Sequence, residues 1–336
     1  HTSQMYDIPD KLKSLCEFGQ MGCQLFLVIS GFTLMLSWKK RKLPLNHFYI
    51  NRWVSIAPGY WIAIILNFLL NVLKNYAGKG IPIRMFSLGA LVNAMLLHGF
   101  VPEFNNNIVP GGWYVGTSMI IYLLFPFIVT VICSDTLKKN GLFQSYLLPI
   151  VMSLIFILIL FCIRTIGYNI DLSNNTFLYF SVLNQLPCAV CGIILSNRYE
   201  EGNTSKNTSV ILLAIVLIIL SYIMFHSKFD YKYYVAPILS GLSYSLLIEW
   251  LLAKKTIQGF NWLRRIGKES FGIYLIHSVF AYQFSAIIKK IINADGVMMF
   301  LIMYFIIIVL SLLFGKLLIS QFTSRIKKFK FTGQLI

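Results

Sequence analysis

The chain has 336 residues, of which 57% are hydrophobic and only 12% charged, with a mean hydropathy of +0.72. Soluble domains carry roughly a quarter charged residues, so this composition excludes a soluble domain of useful size. The 29 Lys and Arg against 12 Asp and Glu give a formal charge of +17, but these cations sit mainly in short loops between apolar runs, as in a chain whose loops face an anionic leaflet. Membrane lipids, and no nucleic acid, are the partners this implies.

The stretch from His1 to Gln20 is polar and carries no signal-peptide pattern. Apolar segments follow near 21–38, 54–73, 85–101, 112–133, 144–166, 177–196, 208–225, 233–253, 269–288 and 296–320. Most approach or exceed the ~20 residues needed to cross ~30 Å of hydrocarbon. If the tail with Arg325, Lys327, Lys328 and Lys330 is cytoplasmic, alternation places Lys254, Lys255, Arg264, Arg265, Lys268, Arg198, Lys206, Lys138 and Lys139 inside as well.

Upstream the parity fails. A spanning 85–101 would force Lys39, Lys40, Arg41, Lys42 and Arg52 outside. The segment is therefore expected to be a short interfacial or re-entrant element, which is tolerated where irregular backbone packs in protein or lines a cavity.

The expectation is an all-α, polytopic membrane helical bundle. It has nine spanning helices here plus the re-entrant element, residues 1–20 outside and 321–336 a cytoplasmic basic tail. One further helix upstream would make about ten. The six cysteines lack zinc-ligand spacing, and Cys188-Ala-Val-Cys191 lies in an apolar run, so all are read as core residues with no metal site.

Ionisable groups at membrane depth cost about 2.5–3.5 kcal/mol on insertion scales, so each asks for a reason. His277 lies mid-helix and Glu249 near the end of its segment; each is either a functional group or, respectively, a helix contact and a snorkelling end. His98 precedes the turn Val109-Pro-Gly-Gly-Trp113, which suits a sharp entry into a helix from a cavity wall. An interfacial histidine beside an aromatic-belt Trp113 is the alternative. Arg52, beside Trp53, stands at the cytoplasmic mouth of the second segment as either a phosphate-binding fork or a topology anchor. His1 would occupy the outer end of a first helix, where an imidazole serves as a general base near neutral pH.

Four stretches in order resemble the acyltransferase-3 family: Gly22 through Phe32, Arg52 through Tyr60, Pro110-Gly-Gly-Trp113 through Tyr122-Leu-Leu-Phe-Pro126, and Gly267-Lys-Glu-Ser-Phe-Gly-Ile-Tyr-Leu-Ile-His277. The resemblance covers almost the whole of 1–336 as one transmembrane domain. His1 matches the family's essential first-helix histidine, so the chain looks truncated at the end of that helix. The family's usual second arginine is replaced by Ser55, and its usual glutamate by Ser118.

What this implies is transfer of an acyl group, usually acetyl, from cytoplasmic acetyl-CoA to a hydroxyl of an envelope polysaccharide or lipid-linked sugar. The setting would be the cytoplasmic membrane. Arg52 would bind the donor, and His1, Ser118 and His277 would carry the chemistry. His1 and Ser118 are expected to face a common cavity, with His98 and Trp113 near its outer mouth, His277 deeper, and Tyr122 and Glu249 also lining it. A glycan exporter, and an impaired homologue acting as a scaffold, are the alternatives.

Overall fold

A computed structural model describes residues 1–42, 44–76, 78, 80–134, 141, 145–174, 176–254, 261–292 and 295–332. Lys138, Lys139 and Lys255 fall outside the described residues, as do the side chains of Lys327, Lys328 and Lys330. In chain order the helices are α1 Asp10–Phe18, α2 Gly22–Arg41, α3 Leu45–Tyr76, α4 Ile83–Ala94, α5 Trp113–Ile132, α6 Leu147–Thr165 and α7 Phe177–Phe180. There follow α8 Val182–Glu200, α9 Thr208–His226, α10 Lys232–Lys254, α11 Asn261–Val279, α12 Ser285–Ile292, α13 Val297–Phe314 and α14 Gln321–Thr332. Two π-helical segments, Phe280–Phe284 and Gly315–Ser320, join α11 to α12 and α13 to α14.

Among the described residues nine helices are long and apolar enough to cross a membrane. The helix α4 is not one of them. Its 12 residues rise about 18 Å, well short of ~30 Å of hydrocarbon, as the charge parity required. Polar composition hid α1, and Cys162 corrects the reading of every cysteine as core: it lies exposed on α6, whereas Cys188 and Cys191 are buried.

The chain divides into two compact units. The first comprises His1–Glu17, Leu45–Gly116 and Phe260–Ile336. Here small residues let backbones meet, the usual device where lipid gives helices no hydrophobic reason to associate. A Cβ on Gly272 would lie 2.7 Å from the Gly315 carbonyl oxygen, and one on Gly59 would lie 2.7 Å from Ile319. The N-terminal segment closes over this unit through Tyr6 and Ile8, which pack with Ala281, Met299, Phe300, Met303 and Ile307.

The second unit comprises Phe18–Pro44 and Thr117–Gly259. Its centre is α8, buried continuously from Pro187 to Asn197. The helix α2 crosses it with backbone against backbone: a Cβ on Gly31 would collide with the Ala189 carbonyl, and one on Gly192 with that of Val28. Buried polar side chains satisfy one another at depth, Gln24 donating to Gln185 at 2.8 Å and Ser243 to the Ala214 carbonyl at 2.7 Å. Among the described residues, prolines beyond the first turn lie in α3, α5, α8 and α10 (Pro58, Pro126, Pro187, Pro237), which membrane helices accommodate because neighbouring groups satisfy the freed backbone.

Candidate functional site

The non-crossing element is built on asparagines. Irregular backbone in a membrane protein must find partners for its polar groups, and here side chains supply them. Asn93 donates to the Phe104 carbonyl at 3.1 Å, Asn105 to the His98 carbonyl at 3.2 Å, and Asn106 accepts from the Gly111 N–H at 2.9 Å. Leu96, at φ 61° in the left-handed region, turns the chain out of α4. Trp61 and Tyr60 of α3 hold the element from below, donating to the Ala94 carbonyl at 2.9 Å and to Asn93 at 2.6 Å.

His98 is 0% exposed at the middle of this construction. Its Nε2 lies 3.0 Å from the Gly112 carbonyl oxygen; a carbonyl only accepts, so Nε2 carries the proton. Burial lowers its pKa to about 4, the bond to Gly112 opposing the shift in part, so the ring is neutral near pH 7. Its Nδ1 has no partner among the described residues. The two glycines of the turn are required: Gly111 sits at φ 84°, and a Cβ on Gly112 would lie 2.5 Å from the Tyr60 hydroxyl. Trp113, beginning α5, is buried.

In the same unit α11 brings His277 against His1, with ring centroids 5.2 Å apart. His277 Nδ1 donates to the carbonyl of Tyr274 in its own helix at 2.6 Å, and the Tyr274 hydroxyl donates to the Gly111 carbonyl at 2.6 Å. Tyr274 thus holds His277 through its backbone carbonyl and the glycine turn, separately, through its hydroxyl. His1 is exposed, and Tyr282, from the first π segment, lies 2.6 Å from its Nδ1 and donates to Gln4 at 2.7 Å.

Asp295 holds the segment that carries His1. Its carboxylate accepts from the Asp7 N–H at 2.7 Å and the Gly296 N–H at 2.9 Å and pairs with Lys289, whose ammonium also reaches the Met5 carbonyl at 3.1 Å. Lys289 first, then the two N–H groups, depress the Asp295 pKa from 3.8 to about 2. A depressed folded pKa means the tether is fully present above the unfolded value and is lost as pH falls from about 3.8 toward 2. Protection of the amides of residues 2–8 relative to their intrinsic exchange rates is therefore expected to fall in that window, and Asp295→Asn to produce the same loss of protection at pH 7. Unchanged exchange in the variant would remove the tether.

Arg52 lies half-buried in α3, its guanidinium 5.9 Å over the Phe48 ring. Ser55, which stands where the resemblance implies a second arginine, donates to its own helix at the Asn51 carbonyl, 2.7 Å away.

The remaining expected residues belong to the second unit. Ser118 is 2% exposed on α5, its hydroxyl without a partner among the described residues. Such a group costs about 1–3 kcal/mol when desolvated. Tyr122 lies one turn further on, half-buried. Glu249 is 0% exposed and fully engaged. It accepts from Arg198 at 2.8 and 3.1 Å, from Tyr146 at 3.2 Å and from the Ser205 N–H at 3.1 Å.

Sequence reasoning missed Tyr282, Gln4, Tyr274 and Asp295. Tyr274 stood in a quoted motif without a role, whereas Tyr282 lies five residues after His277, a spacing that puts two side chains on different faces of an α-helix. No curated protein and no solved structure matches the chain. The family model described as an acyltransferase domain matches residues 1–316. With nine membrane-length helices among the described residues and four motifs in order, the chain belongs to the acyltransferase-3 family and is a multi-pass membrane acyltransferase.

Proposed function

We propose that this protein moves an acyl group, acetyl in the simplest case, from cytoplasmic acyl-CoA to a hydroxyl of an envelope polysaccharide or lipid-linked sugar in the cytoplasmic membrane. The observation that carries the reading is the pairing of an exposed His1 with His277 at 5.2 Å. A sugar hydroxyl is a poor nucleophile at neutral pH and needs a positioned base. His1 takes the hydroxyl proton as oxygen attacks the thioester carbonyl; the new C–O bond replaces the C–S bond, and the imidazolium proton passes to the departing thiolate. His277, whose Nδ1 proton is given to the Tyr274 carbonyl, stands beside this exchange with an Nε2 lone pair that can only accept a proton.

Arg52 serves the donor. A guanidinium grips phosphate oxygens with two parallel bonds, whereas lysine offers a point charge. With labelled acetyl-CoA and envelope acceptor, Arg52→Lys is expected to raise the apparent KM for the donor roughly tenfold with kcat little changed. An unchanged KM would make Arg52 a topology anchor. Acceptor labelling by the unaltered protein supports transfer, and gradient-driven glycan flux without labelling would support the exporter instead.

A further inference from the structure

We propose that Tyr282, braced by Gln4, is the positioning residue that fixes the proton of His1 on Nδ1 and so presents Nε2 as the base. The inference rests on the reading of His1 as the base.

The argument is one of counting protons. The Tyr282 hydroxyl oxygen lies 2.6 Å from His1 Nδ1 and donates to the Gln4 amide oxygen at 2.7 Å. A phenol has one proton and an amide oxygen only accepts, so that proton points at Gln4. The phenol oxygen is then the acceptor in its bond with His1, and Nδ1 must be the donor. The ring's remaining lone pair is on Nε2, which bonds no other group among the described residues. Were the Gln4 amide turned over, its NH2 would donate to Tyr282, Tyr282 would donate to Nδ1, and Nε2 would carry the proton and be useless as a base.

The helix is deformed where this contact needs it. In an α-helix, residues five apart are about 140° out of register. The π segment Phe280–Phe284 bonds i to i+5 and lowers that offset, which brings Tyr282 round toward the side of His277. Both rings consequently face His1, with centroids 5.2 Å away for His277 and 5.1 Å for Tyr282. Isolated π turns inside α-helices often mark functional sites, and this one holds a phenol against the candidate base.

The test uses the full chain in membranes or detergent, with acetyl-CoA as donor and steady-state kinetics. Tyr282→Phe keeps the ring and removes only the oxygen. It is expected to lower kcat at least tenfold while leaving the donor KM within twofold, and to have no further effect in a His1→Ala background. Gln4 is exposed, so its variants leave folding intact. Gln4→Leu is expected to lower kcat several-fold, and Gln4→Glu, which only accepts, to preserve it.

Normal kcat in Tyr282→Phe alongside an inactive His1→Ala would overturn the positioning role and leave the base reading standing. So would a loss confined to KM, or Gln4→Glu failing as badly as Gln4→Leu. Full activity in His1→Ala would overturn both.

Discussion

Replacing His1 with alanine in the full chain is expected to reduce kcat for acceptor acylation by about a hundredfold to ten-thousandfold, the range general bases contribute. The donor KM should change little, because nothing in the arrangement assigns His1 to the coenzyme. The variant should fold normally, since His1 is exposed and the segment behind it is held by Tyr6, Ile8 and the Asp295 tether. The measurement is transfer of label from acetyl-CoA to acceptor, read beside donor hydrolysis without acceptor. Hydrolysis and transfer should fall together if the imidazole takes a proton from whichever hydroxyl attacks. Transfer at the normal rate would refute the catalytic assignment of His1.

The largest effect on stability is expected in the second unit. Arg198→Met removes both guanidinium bonds to Glu249, whose side chain is only 1% exposed. A carboxylate left unpaired inside protein costs about 3–5 kcal/mol. Tyr146 and the Ser205 N–H remain as donors, but neither carries a charge. Reversible unfolding in mixed micelles should show the loss, and adding Glu249→Gln to Arg198→Met should recover more than half of it by removing the stranded charge. If Arg198→Met unfolds like the unaltered protein, the ion pair contributes nothing to the fold.

The contrast between these residues shows which parts of the protein can be read from sequence. The spans were readable because lipid demands ~20 apolar residues of any helix that crosses it, and α4 because five basic residues would otherwise sit on the wrong side. Motif order pointed to His1, His277 and the glycine turn. What each ionisable group does was hidden, because it depends on partners far along the chain. Glu249 looked like a cavity carboxylate until Arg198 was found 51 residues away. His98 looked like a mouth residue, yet it is enclosed and ties the turn at Gly112. Tyr282 was the least readable, since hydropathy assumes 100° per residue and a local change of winding leaves no trace in composition.

Where Gly272 meets Gly315 the two backbones touch with no side chain between them. Such a contact works as a fulcrum: it resists sliding and permits rocking. His277 lies five residues beyond Gly272 and Tyr282 ten, so along the same lever any tilt displaces the phenol about twice as far as the imidazole of His277. The alignment of Tyr282 with His1 is therefore the geometry that a rocking helix would disturb most.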